Sequence, residues 1–419
     1  MVPNGWKTLS LGEITKEKIS YGIVQAGPHV ENGVPYIKSS NVGGEIKIED
    51  LQRTSSEIHH KYRRSAVHPN DIVFSLRGNI GRTSIVPPEL LEANLTQGTA
   101  RISVNTKNET NFIYYSLAST PILNRINSLS KGSTFKEISL EELRKVKLPI
   151  PPLSEQQKIA KILSTWDNAI STTERLIDNS TQQKKALMQQ LLTGKKRLLD
   201  ESGQRFAGEW EEKTLIDAGM TVTDGDRGKE YPNSSEFYDE GDYLFLSAKN
   251  VTKKGFLFED TQFISKEKYE KLGKGIVNRG DVVLTTRGTV GQTAYYDDSV
   301  QYEFLRVNSG MVTLGCNNSE LESNFFYALT NSSLFTRQVE SLTFGSAQPQ
   351  LTIRIIKSLK VPIPPVPEQQ KIATVLTNAD KEIELLEQQL ADLQQEKKAL
   401  MQVLLTGKKR VVVDGDNLA

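Results

Sequence analysis

Two segments of the chain place an arginine, two glycines and an aspartate in the same order. Residues 71–82 read DIVFSLRGNIGR and residues 281–292 read DVVLTTRGTVGQ. Each pattern predicts a strand, a tight R-G-x-x-G turn and a second strand, and glycines suit the backbone angles of such a turn. Two interpretations remain open for Arg77 and Arg287: a contact with phosphates or base edges, or a structural place in the turn.

Further polar side chains follow strand-like runs or lie in Gly-Ser loops. Residues 35–42 and 243–251 predict strands that lead into polar turns, and residues 131–136 and 344–350 combine glycine and serine with lysine, glutamine or phenylalanine. Arg and Lys suit guanine edges and phosphates, whereas Asn and Gln suit adenine edges. An ordinary surface loop has the same composition. The candidate nucleic-acid contacts are Lys38, Asn41, Arg77, Arg82, Lys131, Thr134, Arg227, Lys249, Asn250, Arg287, Gln292 and Gln348.

The element that must position these blocks is a long internal repeat. Residues 147–197 return without a gap as residues 360–410, and 29 of the 51 aligned pairs are identical. Identity over that length indicates a duplicated unit rather than a chance match. Prolines precede each copy and keep the chain extended, and Gly194 and Gly407 are placed to end a helix.

Each copy carries an apolar seam with steps of four and three residues. That period predicts a coiled-coil helix. Lys184 and Lys397 lie on the seam, where solvation or register setting is favoured over a DNA contact. The predicted coiled-coil interface consists of Ile159, Leu163, Trp166, Ile170, Ile177, Leu187 and Leu191 in the first copy, and Ile372, Leu376, Ala379, Ile383, Leu386, Leu390, Leu393, Leu400 and Leu404 in the second.

Composition limits the classes of protein that the chain can be. A length of 419 residues suits two globular blocks plus the helices. No apolar run approaches a membrane span and the first residues do not resemble a signal peptide, so we expect a soluble, cytoplasmic protein. One cysteine and four histidines lack metal-ligand spacing, and we expect no metal site.

The charge differs between the two blocks. Residues 1–150 carry 19 Lys and Arg against 14 Asp and Glu, whereas residues 201–360 carry 18 against 23. The formal net charge of the whole chain is +1. Any binding to nucleic acid must therefore come from local patches or from a more basic partner.

The sequence carries no recognisable catalytic constellation. Residues 193–196, TGKK, lack the spacing and the hydroxyl of a nucleotide-binding G-x-x-x-x-G-K-[ST] loop. There is no F-x-G-x-G loop for S-adenosylmethionine and no N-P-P-F or D-P-P-Y tetrad for amino methylation. Asp71 and Asp281 fit turns better than a nuclease centre.

These motifs together resemble the DNA specificity subunit of type I restriction-modification systems. The resemblance rests on the repeated P-I-P-P-x-x-E-Q-Q-K-I-A and L-L-T-G-K-K-R motifs and on the paired D-[IV]-V-x-x-x-R-G-x-x-G segments. It implies two similar α/β target-recognition domains joined by two long antiparallel coiled-coil helices, with a pseudo-two-fold internal repeat. The predicted boundaries are 1–147 and 200–360 for the recognition domains, 148–199 and 361–410 for the helical regions, and 411–419 for a tail.

The resemblance also implies partners. Each recognition domain would read one half of a bipartite target in double-stranded DNA, and two methyltransferase subunits would dock on the helices and domains. Restriction subunits that translocate DNA would join them. The chain itself would be non-catalytic and bind no cofactor, with S-adenosylmethionine and ATP held by the partner subunits.

Two other classes of protein remain open. One is a coiled-coil scaffold that reads no sequence, which a lack of salt-sensitive DNA binding would favour. The other is a methyltransferase or nuclease acting alone, which activity of the isolated chain would favour. Within the preferred interpretation, a helix of about 40 residues is ~60 Å long, so we expect helix length to set the unread spacer between the two half-sites.

Overall fold

The computed structural model describes residues 2–132, 136–343 and 350–413. The chain divides into two compact units. The first unit is Met1–Arg175 with Gln388–Ala419, and the second is Leu176–Glu387. Each unit therefore contains one globular domain, the start of one long helix and the end of the other.

The globular domain of the first unit has nine strands and four short helices within its described residues. The strands are β1 Lys7–Ser10, β2 Ser20–Tyr21, β3 Val34–Ile37, β4 Gln52–Thr54, β5 Ile72–Ser75, β6 Thr83–Ile85, β7 Asn94–Leu95, β8 Thr99–Ile102 and β9 Lys147–Ile150. The helices are α1 Ser56–Tyr62, α2 Thr110–Ala118, α3 Thr120–Leu129 and α4 Leu140–Lys145. The long helix α5, Leu153–Leu191, follows.

The strands of the first unit form two sheets and one separate pair. One sheet has the antiparallel order β2-β8-β5-β6, and the other has the order β4-β3-β7 with β3 and β7 parallel. The pair β1-β9 is antiparallel and sets Thr8 opposite Pro149. Proline is tolerated in such a two-stranded pair because each strand has an edge that needs no ladder hydrogen bond.

The second unit repeats this plan. Its strands are β10 Glu211–Thr214, β11 Thr221–Asp224, β12 Tyr243–Leu246, β13 Val251–Thr252, β14 Gly255–Phe256, β15 Phe263–Ile264, β16 Ile276–Val277, β17 Val282–Thr285, β18 Thr293–Tyr295, β19 Phe304–Val307, β20 Met311–Gly315 and β21 Lys360–Ile363. Its helices are α6 Lys266–Lys271, α7 Ser323–Thr330, α8 Ser333–Leu342, α9 Ile353–Lys357 and the long α10, Val366–Leu404. The sheets are β11-β20-β17-β18 and β15-β12-β19-β16, with β13-β14 and β10-β21 as pairs.

A fully buried strand lies at the centre of each domain. All four residues of β5 are buried, as are all four of β17. Because side chains alternate along a strand, Ile72 and Phe74 join one apolar cluster and Val73 joins another. The apolar run ahead of each R-G-x-x-G turn is therefore a strand, as the sequence predicts, and the structure shows that both of its faces are covered.

The two long helices each contain 39 residues. In the first unit, Ile159 and Leu163 of α5 share a core with Leu404 of α10. In the second unit, Leu191 of α5 shares a core with Ile372 of α10. The start of each helix thus packs beside the end of the other, which is the antiparallel arrangement that the sequence predicts.

Burial along the two long helices follows the predicted seam. Every predicted seam residue is buried or half-buried, while most of the residues between them are exposed. Both seam lysines form ion pairs. Lys184 pairs with Asp380, and Lys397 pairs with Asp167. These two pairs occupy equivalent repeat positions and favour the register-setting interpretation.

Glycines end both long helices and shape both R-G-x-x-G turns. Gly194 and Gly407 have φ of 68° and 69°, and Gly78 and Gly288 have φ of 70° and 72°. Residues with a side chain rarely adopt these backbone angles, so glycine is required at these positions. No helix of the described ranges has the length and hydropathy needed to cross a membrane.

Candidate nucleic-acid interface

The candidate site of the first domain lies where two parallel strands end. Strands β3 and β7 pair with Ile37 opposite Leu95, so the segments that follow them leave the same edge. The hydroxyl of Ser39 donates to the carbonyl of Gly98 at 2.9 Å and ties the two segments together. Ligands bind preferentially outside the carboxyl ends of parallel strands, and Lys38 lies at this edge.

The R-G-x-x-G turn joins the same edge. The amide of Leu76 donates to the carbonyl of Gly98 at 2.8 Å, which places the neighbouring Arg77 beside the Lys38 segment. Gly43 donates its amide to the Ser84 hydroxyl at 2.9 Å. A Cβ at Gly43 would come within 2.7 Å of Cδ of Arg82, so glycine lets the Arg82 side chain run along the backbone.

The first Gly-Ser loop lies beside the turn that contains Arg77. Lys131 and Glu137 exchange two backbone hydrogen bonds of 2.9 Å, and the amide of Ile138 donates to the carbonyl of Leu76 at 3.2 Å. The Glu137 carboxylate also accepts from Nε of Arg77 at 2.8 Å. Four of the candidate nucleic-acid contacts therefore lie at one edge of the sheet: Lys38, Arg77, Arg82 and Lys131. Thr134 lies outside the described residues.

The second domain builds an equivalent edge with different side chains. Strands β12 and β19 are parallel, with Leu246 opposite Val307, and the amide of Thr286 donates to the carbonyl of Gly310 at 2.8 Å. Arg287 follows at once, and a backbone bridge links it to Gln350 at the end of the second Gly-Ser loop. Gln348 lies outside the described residues.

Arg227 reaches this second edge from another loop. Its guanidinium donates to the carbonyl of Ser309 at 3.1 Å, next to Gly310. Gln292 follows the same turn as Arg287 and is half-buried. Arg227, Arg287 and Gln292 are therefore brought together.

The cations of these edges are held weakly or have no ionic partner. Among the described residues, no carboxylate forms an ion pair with Arg82, Lys131 or Arg287, and all three are exposed. The Lys249 ammonium lies 2.7 Å from the Asp260 carboxylate, whose hydrogen bond raises the pKa of Lys249. Exposed pairs of this kind contribute little to stability, so a phosphate can replace the carboxylate.

Two candidate asparagines have structural roles instead. The side-chain carbonyl of Asn41 accepts from the amide of Lys38 at 3.0 Å, and that of Asn250 accepts from the amide of Ser247 at 2.8 Å. Asn250 is also buried, and its amide donates to the carbonyls of Leu257 and Asp260. Reading adenine needs both ends of an amide, so the structure does not support Asn250 as a base contact. The carbonyl of Asn41 is likewise occupied.

A pair of buried carboxylates was missed at the sequence level. Glu155 accepts two hydrogen bonds from Arg410, at 2.7 and 2.8 Å, and one from the indole of Trp6 at 3.0 Å. In the second unit Glu368 does the same with Arg197 and Trp210. The identity of these residues in both copies was the available signal. The described residues contain no group of three or more His, Cys, Asp or Glu that could hold a metal.

The chain is similar to proteins of known class over most of its length. A family model described as "Type I restriction modification DNA specificity domain" matches residues 3–179 and 208–395. The type I restriction enzyme MjaVIII specificity subunit of Methanocaldococcus jannaschii is 26% identical over 421 residues, covering 98% of this chain and 94% of that protein. The EcoBI specificity subunit of Escherichia coli is 28% identical over 46% of this chain and 41% of its own length.

Two crystal structures have a similar fold. The S subunit of a type I restriction-modification system from M. genitalium has a TM-score of 0.60 and 18% identity, covering 96% of this chain and 97% of that one. The HsdS subunit from Thermoanaerobacter tengcongensis has a TM-score of 0.50 and 19% identity, covering 97% and 98%. At this identity the structures support the α/β fold with long helices.

Proposed function

Because the chain belongs to the type I restriction-modification DNA specificity family, we propose that it selects the DNA target for a methyltransferase and an endonuclease. The observation that carries this function is the edge that is built twice. The frame recurs, from the parallel strand pair to the R-G-x-x-G turn, while the side chains at the edge differ. The first domain has Lys38 and Arg82 there, and the second has Arg227 and Gln292. The same backbone arrangement with different side chains suits two domains that read two different half-sites.

The candidate residues of each edge have the chemistry for this task. Arginine can donate two hydrogen bonds to guanine or clamp a phosphate, and glutamine can read adenine. The main-chain bonds to Gly98 and Gly310 position the turns of Arg77 and Arg287. A preorganised turn lowers the entropy lost when DNA binds.

The proposed partners include two methyltransferase subunits. A repeated surface on the long helices supports a partner that is present twice. Three exposed residues at steps of three and four, which share a helix face, are identical in both copies, whereas their exposed neighbours Thr181 and Gln183 are replaced by Gln394 and Glu396. The repeated surface consists of Gln182, Lys185 and Gln189 in α5 and of Gln395, Lys398 and Gln402 in α10.

Catalysis belongs to the partners in this proposal. The sequence carries neither a nucleotide-binding loop nor a methylation tetrad, so S-adenosylmethionine and ATP would be bound by methyltransferase and restriction subunits. The chain would contribute the choice of sequence. We expect the complex to act in the cytoplasm of a prokaryote.

The test is to map DNA methylation produced by the chain and its cognate methyltransferase expressed together. Modification-sensitive sequencing should reveal a split motif that neither protein produces alone. Methylation by this chain alone would make it an enzyme. An active methyltransferase whose methylation is unaffected by the chain would favour a scaffold that reads no sequence.

A second arm tests the repeated surface. Reversing the charge of Lys185 and Lys398 should weaken co-purification with the methyltransferase, because both copies of the surface change together. Reversing Lys253, an exposed lysine of the second globular domain, is the matched control. Unchanged co-purification of the double variant would remove this surface from the proposal.

A further inference from the structure

A second cationic surface lies apart from the strand edge of the first domain. We call it the Arg63 cluster and define it as His60, Lys61, Arg63 and Arg64. All four side chains are exposed at the end of α1 and in the turn that follows. His60 and Lys61 lie in the last turn of α1, and Arg63 and Arg64 lie in the 3-10 turn that follows directly.

The cations of the Arg63 cluster have no carboxylate partner in the part of the chain that the structure describes. Within residues 2–132, 136–343 and 350–413, none of Lys61, Arg63 and Arg64 takes part in an ion pair or a side-chain hydrogen bond. Lys61 lies 5.8 Å from the ring centroid of Tyr62. Lys61, Arg63 and Arg64 place three positive charges within four residues. These charges repel one another, and an anionic ligand would reduce that repulsion.

The equivalent helix of the second domain is neutralised. Helices α1 and α6 each begin after a capping serine, Ser55 or Ser265, and each follows a strand that pairs with the parallel pair. In α6, Lys271 lies 2.6 Å from Glu267, and Lys268 lies 2.7 Å from Glu236. The contrast between the helices agrees with the excess of basic residues in the first block and of acidic residues in the second.

The helix dipole does not explain the difference. Cations near the last turn of a helix are favoured by the partial negative charge there. Both α1 and α6 carry such cations, yet among the described residues Lys268 and Lys271 of α6 have carboxylate partners, whereas Lys61, Arg63 and Arg64 form no ion pair. The lack of counter-ions around Arg63 and Arg64 therefore needs another cause.

The backbone holds the cluster at a defined distance from the reading edge. The turn continues to Ala66, whose carbonyl accepts from the buried Arg101 guanidinium at 2.6 Å, and to Val67, which pairs with Ala93 just before β7. The cluster thus adjoins the start of β7, whereas the candidate edge follows its end. Strand β7 has two residues and spans about 7 Å, or roughly two base pairs of duplex.

We propose that the Arg63 cluster binds DNA phosphates beside the half-site of the first domain, so that this domain supplies most of the salt-sensitive affinity. The inference rests on the proposed function and adds to it an unequal division of labour. Arginine suits this role because its guanidinium can hold a phosphate with two hydrogen bonds. The second domain, where the lysines of the equivalent helix α6 are paired, contributes fewer phosphate contacts.

The experiment compares two double variants of the chain in complex with its methyltransferase. Arg63→Ala with Arg64→Ala removes two cations of the Arg63 cluster. Lys266→Ala with Lys271→Ala removes two cations of the equivalent helix, which pair with Glu270 and Glu267. The affinity for duplex DNA is measured between about 50 and 200 mM salt. The first variant should reduce the slope of log K against log salt by about 2, since each phosphate contact contributes about 0.9, and the second should leave the slope nearly unchanged.

The methylated motif separates this proposal from the proposed function. The Arg63 and Arg64 variant should methylate the same motif with lower affinity, and Arg63→Lys with Arg64→Lys should retain the salt slope. An unchanged slope, a changed motif or loss of methyltransferase binding would each overturn the phosphate role, the last by indicating a protein contact. A wild-type complex without any split motif would instead refute the proposed function.

Discussion

At the scale of single residues, two buried carboxylates join distant parts of the chain. Glu368 is 0% exposed and accepts two hydrogen bonds of 2.6 Å from Arg197 and one of 3.1 Å from Trp210. The hydrogen bond with Glu368 raises the pKa of Arg197. A buried ion pair is a weak source of stability as a pair, but removal of one partner leaves an uncompensated charge.

Replacing Arg197 by Ala should therefore destabilise the protein by about 3 kcal/mol. Adding Glu368→Gln to that variant should recover part of the loss, because the remaining buried group is then neutral. Urea unfolding would measure both variants, with the exposed neighbour Lys196→Ala as control. If Arg197→Ala unfolded at the same urea concentration as the wild type, the pair would have no such role.

At the scale of elements, the two long helices pack against each other through one apolar seam on each helix. Leu376 is 2% exposed in the core of the second unit, whereas Leu385 on the same helix is 72% exposed. Burial of a leucine side chain contributes roughly 1.5–3 kcal/mol, and the exposed leucine contributes little. The heptad positions predict this difference, because Leu376 lies on the apolar seam and Leu385 does not.

Leu376→Ala should cost about 2–5 kcal/mol of unfolding free energy, because it creates a cavity in a packed core. Leu385→Ala should change stability by less than about 0.5 kcal/mol. The two variants make the same chemical change on the same helix, so thermal or urea unfolding compares them directly. Equal losses would contradict the seam.

At the scale of the whole molecule, both long helices connect the same two units along the chain. Helix α5 begins in the first unit and ends in the second, and α10 returns from the second to the first. The domains themselves share a frame, yet they differ in charge and in the residues at the reading edge. The proposed function therefore assigns target choice to the domains and target spacing to the helices.

Inserting one heptad into both helices should lengthen the unread spacer of the target without altering either half-site. Suitable positions are after Arg175 and after Glu387, where the two units meet along the chain. Seven residues add about 10 Å to a helix, or about three base pairs. Methylation mapping measures the spacer, and an unchanged spacer would contradict the prediction.

Insertion into one helix alone is the control for this change. Because the seams of α5 and α10 pack against each other within each unit, a single insertion shifts one seam relative to the other. That variant should lose stability and methylation together. A single insertion that behaved like the double one would show that the helices are not coupled.

The sequence by itself determined the long helices, their seam and the glycine turns, because each depends on local periodicity or on backbone angles that only glycine adopts readily. Repetition of the chain also determined that the fold occurs twice. Only the tertiary structure decided that Asn250 is buried in a turn and that Glu155 meets Arg410 from 255 positions away. Those contacts depend on which strands pair in parallel and which helix ends meet, and no local pattern encodes such non-local pairing.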